Sequence, residues 1–179
     1  TCYAVEISDT LAGAELEAKI DKVNGLVFER VGETVSIDMI AVKNDSGNPD
    51  AFENAVKAVA GKTCFATILI SEDPVAMEKA LAVVGDSKPL IYAATESNYE
   101  KMVELAKKYN CPLAVKGDGL DATAALVEKI APSYKELVID TGTRELSQAL
   151  AELTQIRRLA VKKRFRPLGY PVKIGRAHV

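Results

Sequence analysis

The sequence predicts an α/β fold built from repeated βα units. Two observations predict it. First, five short runs are almost continuously apolar: residues 36–42 (SIDMIAV), 65–70 (FATILI), 89–94 (PLIYAA), 112–115 (PLAV) and 136–139 (ELVI). Strands of a parallel sheet covered by helices on both faces have that character, whereas burial of one face leaves a polar alternation. Second, a helical stretch follows each run, and the runs start roughly 23–29 residues apart, a common βα spacing. Two right-handed solutions fit this repeat, a barrel and an open doubly wound sheet. Nothing like GxGxxG follows the first run, which disfavours the dinucleotide-binding form of the open sheet.

The lead-in differs from the repeat. Residues 2–7 (CYAVEI) read as a strand, 14–23 as a helix and 25–37 as a hairpin turning at Gly32-Glu33. Such a segment caps the bottom of a barrel or supplies its first strand. Among the repeats, 50–60 places Phe52, Ala55, Val56 and Val59 on one helical face. The helix at 74–84 starts with Pro74 behind an N-capping Asp73. Ser97-Asn-Tyr-Glu100 matches a capping box ahead of Met102, Val103, Leu105 and Ala106. Residues 121–130 carry Leu126, Val127 and Ile130, and 143–163 carry Leu146, Leu150, Leu153, Ile156 and Leu159 at helical spacing. A further repeat begins at 170–172. These five to six βα units fall short of the eight strands and roughly 250 residues of a closed barrel. Either the sheet is open, or the chain is a piece of something longer; in the second case the organisation expected is a lead-in over 1–35, an incomplete TIM (β/α) barrel domain over 36–173 and a tail over 174–179.

Composition narrows the functional classes. A chain of 179 residues with 48% hydrophobic and 27% charged residues has the make-up of one ordinary soluble globular domain. A formal net charge of −2 argues against nucleic-acid binding through bulk electrostatics. No run is long enough for a transmembrane helix, and the first ten residues do not resemble a signal peptide. Cys2, Cys64 and Cys111 are odd in number and widely spaced. They read as buried thiols in a reducing, cytoplasmic setting and not as metal ligands.

In parallel α/β architectures ligands bind at the carboxyl ends of the strands. Here those ends are Lys43-Asn44-Asp45, Ser71-Glu72-Asp73, Thr95-Glu96, Lys116-Gly117-Asp118 and Asp140-Thr141-Gly142-Thr143. Asp73, Ser97, Asp121 and Thr143 read as helix N-caps, and Asp118-Gly119 as a turn. Asn44 and Asp140 each follow a buried strand directly and are the candidate pocket residues, with lining a pocket and satisfying loop backbone equally open. The only histidine, His178, lies outside the repeats. Without a histidine there, or GxxxxGK[ST], HExxH or GxSxG, a self-contained hydrolase or zinc enzyme is disfavoured and no catalytic residue is assigned. Arg157, Arg158, Lys162, Lys163, Arg164 and Arg166 form a basic run. It reads as a solvated helix face favoured by the dipole, or as a contact with an acidic partner surface.

Several segments resemble one family. They are 27–32 (VFERVG), 38–44 (DMIAVKN), 88–95 (KPLIYAAT), 109–114 (YNCPLA), 140–143 (DTGT), 153–158 (LTQIRR) and 165–171 (FRPLGYP). In order and content these are similar to the large (gamma) subunit of corrinoid/iron–sulfur proteins, the methyl carriers of the carbon monoxide dehydrogenase/acetyl-CoA synthase system. The resemblance runs from about Cys2 to Val172. It implies a TIM barrel flanked in the family by a four-cysteine [4Fe–4S] segment and a C-terminal corrinoid domain. It also implies passage of a methyl group from a methyl-tetrahydropterin methyltransferase, through a cobamide, to acetyl-CoA synthase. The barrel would then be a scaffold that docks the small (delta) subunit as a heterodimer, with the corrinoid between subunits. The four-cysteine segment and the corrinoid domain are not within this sequence, so no cobamide, cluster or metal ligand carries over. No nucleic-acid or membrane partner is expected. Expressed alone, such a piece should be poorly soluble or oligomeric. The alternatives are a pterin-binding barrel methyltransferase using Asn44 or Asp140 and, more weakly, a sugar-phosphate barrel enzyme.

Residues 174–179 (IGRAHV) do not continue that pattern. They can be encoded by ATC GGA AGA GCA CAC GTC, which looks like sequencing-adapter DNA, so this tail reads as non-native.

Overall fold

Strands and helices alternate along the chain almost as the apolar runs predict. The computed structural model describes residues 2–173, so the tail at 174–179 and His178 lie outside the described residues. Two compact units divide the chain, one of residues 1–91 with 109–111, the other of residues 92–108 with 112–179.

The first unit holds β1 (Ala4–Ser8), α1 (Gly13–Asn24), β2 (Val27–Arg30), β3 (Glu33–Ser36), β4 (Met39–Lys43), α2 (Pro49–Lys62), β5 (Ala66–Ile70) and α3 (Pro74–Val84). Strands β1, β4 and β5 are parallel neighbours in that order, with Ile7 opposite Val42 and Val42 opposite Leu69. These three aliphatic side chains are wholly buried, each stabilising the fold by about 1.5–3 kcal/mol. Helix α2 buries Phe52, Ala55, Val56 and Val59, the face its spacing predicts. Asn48 caps it by accepting from the Asp50 amide at 3.0 Å. Asp73 caps α3 by accepting from the Val75 and Ala76 amides at 3.0 and 3.3 Å.

The hairpin forms its own two-stranded sheet of β2 and β3. Its turn sits at Val31-Gly32, one residue earlier than predicted, with Gly32 at φ +77°. Every residue of β2 is exposed. The first strand of the parallel sheet is therefore β1. The cysteines depart from expectation: Cys111 is buried, but Cys2 and Cys64 are exposed. Both exposed thiols sit just ahead of a strand, where the chain has not yet entered the core.

The second unit holds β6 (Leu90–Ala94, from Tyr92 on), α4 (Tyr99–Tyr109, as far as Lys108), β7 (Leu113–Lys116), α5 (Leu120–Ile130), β8 (Leu137–Asp140) and α6 (Leu146–Lys162). The strand order is β6-β7-β8, and β8 is parallel to β7 with Asp140 opposite Lys116. Six βα units are thus present among the described residues. At 170–172, where a further repeat was expected, Val172 makes a single parallel bridge to Ile139.

Three capping expectations fail in this unit. Asn98, not Ser97, opens α4: its carbonyl accepts from the Met102 amide at 3.1 Å and its Oδ1 accepts from the Thr95 amide at 2.7 Å. Among the described residues the Ser97 hydroxyl bonds only with the Thr95 hydroxyl. Gly119, at φ +86°, is the N-cap of α5, leaving Asp121 inside the first turn. Glu145 precedes α6 without a side-chain cap, and the Thr143 hydroxyl donates instead to Glu152 Oε2 at 2.8 Å. Helix α6 also buries only Ile156, with Leu146 and Leu150 left 85% and 67% exposed. Its apolar stripe is wider than the surface that covers it among the described residues.

Candidate functional site

Asp140 ends β8, and its side chain is 2% exposed. Isolated, a buried carboxylate would be costly; this one is surrounded by donors. Its Oδ1 accepts from the Gly142 amide at 2.8 Å and from Arg144 Nη1 at 3.1 Å. Its Oδ2 accepts from the Tyr92 hydroxyl at 2.8 Å, Arg144 Nη2 at 3.1 Å and Lys173 Nζ at 3.5 Å. The Arg144 grip is bidentate, the strong form of a guanidinium–carboxylate pair. Arg144 also donates to the Tyr92 hydroxyl at 3.1 Å and the Thr143 carbonyl at 3.0 Å. Lys173 Nζ lies 4.2 Å from the centroid of the Tyr92 ring, a cation–π distance.

Local structure explains the convergence. Gly142 adopts φ +77°, a left-handed conformation that turns its amide back onto Asp140. Arg144 follows four residues after Asp140 and precedes α6. The bridge at Val172, fixed by Ile139 N–H donating to the Pro171 carbonyl at 2.8 Å and Lys173 N–H to the Ile139 carbonyl at 2.9 Å, delivers Lys173.

The electrostatics follow from these contacts. Burial alone would raise the Asp140 pKa. Bonds from Arg144, Gly142 and Tyr92 and the charge of Lys173 outweigh it and hold the carboxyl below its ordinary value. Burial first, then the Asp140 charge and hydrogen bond, push the Tyr92 phenol well above its usual range. The Asp140 hydrogen bond raises Arg144. A carboxylate this acidic, with its lone pairs engaged, is a poor general base at neutral pH. The cluster is suited to locking β6, β8, the loop before α6 and segment 171–173 together.

Asn44 lies in the first unit, just past β4, where its amide N–H donates to the Ile70 carbonyl at 2.9 Å. Its Nδ2 donates to Ser71 Oγ at 3.1 Å, and that oxygen also accepts from the Asp73 amide at 3.2 Å. Its Oδ1 is buried without a hydrogen-bond partner among the described residues. Asn44 lies in the first unit and Asp140 in the second.

Sequence reasoning missed Tyr92, Arg144 and Lys173, and it missed Asp9. Asp9 is 5% exposed and accepts from the Asp45 and Ser46 amides, both at 2.9 Å, and from the Ser46 hydroxyl at 2.6 Å. It holds the β4–α2 loop in place. A signal existed for Tyr92, the one aromatic in the aliphatic run PLIYAA. Among the described residues, no group of three or more His, Cys, Asp or Glu side chains could hold a metal ion.

Comparison with known proteins adds four findings. The sequence profile of the CO dehydrogenase/acetyl-CoA synthase delta subunit family matches residues 1–178. The corrinoid/iron-sulfur protein large subunit of Moorella thermoacetica is 52% identical over 173 residues, 96% of this chain. The acetyl-CoA decarbonylase/synthase complex subunit gamma of Methanothermobacter thermautotrophicus is 36% identical over 181 residues, again 96% of this chain. The chain spans 39% of the length of each relative. Among solved structures, dihydropteroate synthase from Thermus thermophilus superposes with a TM-score of 0.62 at 17% identity, over 96% of this chain and 69% of that one. At that identity the likeness shows the fold, that of a TIM barrel.

Proposed function

Because the chain belongs to the CO dehydrogenase/acetyl-CoA synthase delta subunit family, we propose that it is the barrel portion of a corrinoid/iron–sulfur methyl-carrier large subunit. The observation that supports this most is the 52% identity to such a subunit across 96% of the chain. In the whole protein, a cobamide and a [4Fe–4S] cluster would carry the methyl chemistry between a methyl-tetrahydropterin methyltransferase and acetyl-CoA synthase. The donor set of the described residues does not fit such a cluster: two of the three cysteines are exposed, one is buried, and none joins a ligating group. In this reading the stretch serves as scaffold and docking domain. The self-satisfied Asp140 cluster suits that role, since it stiffens the carboxyl end of β8. The small (delta) subunit is the partner, in a heterodimer, and the cytoplasm the compartment. Among the described residues, no helix is long and apolar enough to cross a membrane.

A second reading, a pterin-binding barrel methyltransferase, is favoured by one observation, the buried and unpartnered Asn44 Oδ1. Such an atom can accept from a ring N–H. Two measurements on the full-length protein separate the readings. Sedimentation velocity with the small subunit should give a one-to-one complex, and calorimetric titration with methyltetrahydrofolate should show no saturable site on the large subunit alone. Saturable pterin binding that Asn44→Ala abolishes would replace the scaffold reading with the enzyme reading.

A further inference from the structure

Arg157, Arg158, Lys162, Lys163, Arg164 and Arg166 are all exposed, and none has a carboxylate partner among the described residues. Unpaired cations at this density stand out in a chain whose formal net charge is −2. The helix dipole accounts for Lys162 and Lys163 at the carboxyl end of α6. It does not account for Arg164 and Arg166, which lie past the helix, nor for Arg157 and Arg158, which lie more than a turn before its end.

A groove of about 380 Å3 opens beside two of these cations, lined by Ala160, Arg164, Phe165, Arg166, Gly169 and Tyr170. Phe165 and Tyr170 are half-buried while both arginines are exposed. The backbone around it is tied down: Phe165 N–H donates to the Leu159 carbonyl at 3.1 Å, and Gly169 N–H to the Arg166 carbonyl at 2.9 Å. Arg164 is held at φ +52°, the left-handed region that non-glycine residues rarely occupy. Aromatic side chains and arginine together are the residue types enriched where proteins dock.

We propose that this groove docks an acidic protein surface that presents an apolar side chain among its carboxylates. The guanidinium groups meet the carboxylates bidentately, and the apolar side chain enters between Phe165 and Tyr170. Charge complementarity selects the partner. A polyanion such as nucleic acid is a poorer occupant, because a phosphate backbone offers no apolar anchor for the space between Phe165 and Tyr170. The proposal stands on the groove itself and not on the family reading above, so either can fail without the other.

The test uses the full-length protein and two short synthetic peptides, Asp/Glu-rich around a central Leu or a central Gly, followed by fluorescence anisotropy at physiological ionic strength. The Leu peptide should bind saturably and at least about tenfold more tightly than the Gly peptide. Arg164→Glu with Arg166→Glu should weaken the Leu peptide at least about tenfold, while Lys19→Glu, an exposed site on α1, leaves it unchanged. Should the double reversal perturb the circular dichroism spectrum, Arg164→Gln with Arg166→Gln carries the same reading. Equal binding of the two peptides, no loss in the arginine variants, or tighter binding of a single-stranded oligonucleotide or of phosphatidylserine vesicles overturns the proposal.

Discussion

The Tyr92 hydroxyl donates to Asp140 Oδ2 at 2.8 Å, joining strands whose residues are 48 positions apart in the chain. Arg144 and Lys173 close on the same carboxylate at 3.1 and 3.5 Å. Asp140→Ala removes the one anion that all three share. Breaking a buried ion pair costs about 3–5 kcal/mol, less where the surviving partners reach solvent, as Arg144 and Lys173 do. The expected loss is about 2–3 kcal/mol by urea unfolding. Tyr92→Phe should cost about 1 kcal/mol, and the double variant should lose less than the sum. Strict additivity would mean that the four groups do not act as a unit.

The same cluster sets two pH limbs. The folded-state pKa of Asp140 is depressed, so its contribution is fully present above the unfolded carboxyl value of about 3.9. It is lost as pH falls through the folded value. The Tyr92 pKa is raised; its contribution is present below the unfolded phenol value of about 10 and is lost as pH rises beyond it. In a plot of urea midpoint against pH, Asp140→Asn should flatten the acid limb. Tyr92→Phe should flatten the alkaline one. A variant that shifts the whole curve without changing either limb would contradict this assignment.

What was legible in the sequence was whatever the repeat period encodes. Runs such as FATILI and PLIYAA announce buried parallel strands because both faces are apolar, and Phe52, Val56 and Val59 announce the inner face of α2. The Asp140 cluster was half legible. A carboxylate directly after a buried strand draws attention, but its partners come from β6, from the loop ahead of α6 and from the Val172 bridge, and only tertiary structure brings those together. The hairpin turn and the caps of α4, α5 and α6 were misplaced for a local reason. Several residues near each helix start can satisfy the first amides, and loop geometry chooses between them.

The caps give a paired prediction. Asp73 accepts from two amides at the start of α3, so Asp73→Ala should lower stability by about 1 kcal/mol. Ser97, which matches the capping box in sequence but whose hydroxyl bonds with that of Thr95 instead of a helix amide, should tolerate Ala within about 0.5 kcal/mol. Urea midpoints of the two variants check this; a loss at Ser97 as large as at Asp73 would restore the capping box.

Two glycines should respond in opposite directions to alanine. Gly142 sits at φ +77°, and a Cβ there would lie 2.6 Å from the Gly117 carbonyl oxygen. Its amide also anchors Asp140, so the backbone cannot relax without loosening the cluster. Gly142→Ala should cost about 1–3 kcal/mol. Gly61 lies in the last turn of α2 (Pro49–Lys62), and a Cβ there meets nothing within 4 Å. Gly61→Ala should therefore raise stability by about 0.5–1 kcal/mol, through helix propensity and a less flexible unfolded chain. The two urea midpoints should move apart, Gly61→Ala upward and Gly142→Ala downward. A neutral Gly142→Ala would show that the loop after β8 is free to rearrange, and that the Gly142 amide does not hold Asp140 in place.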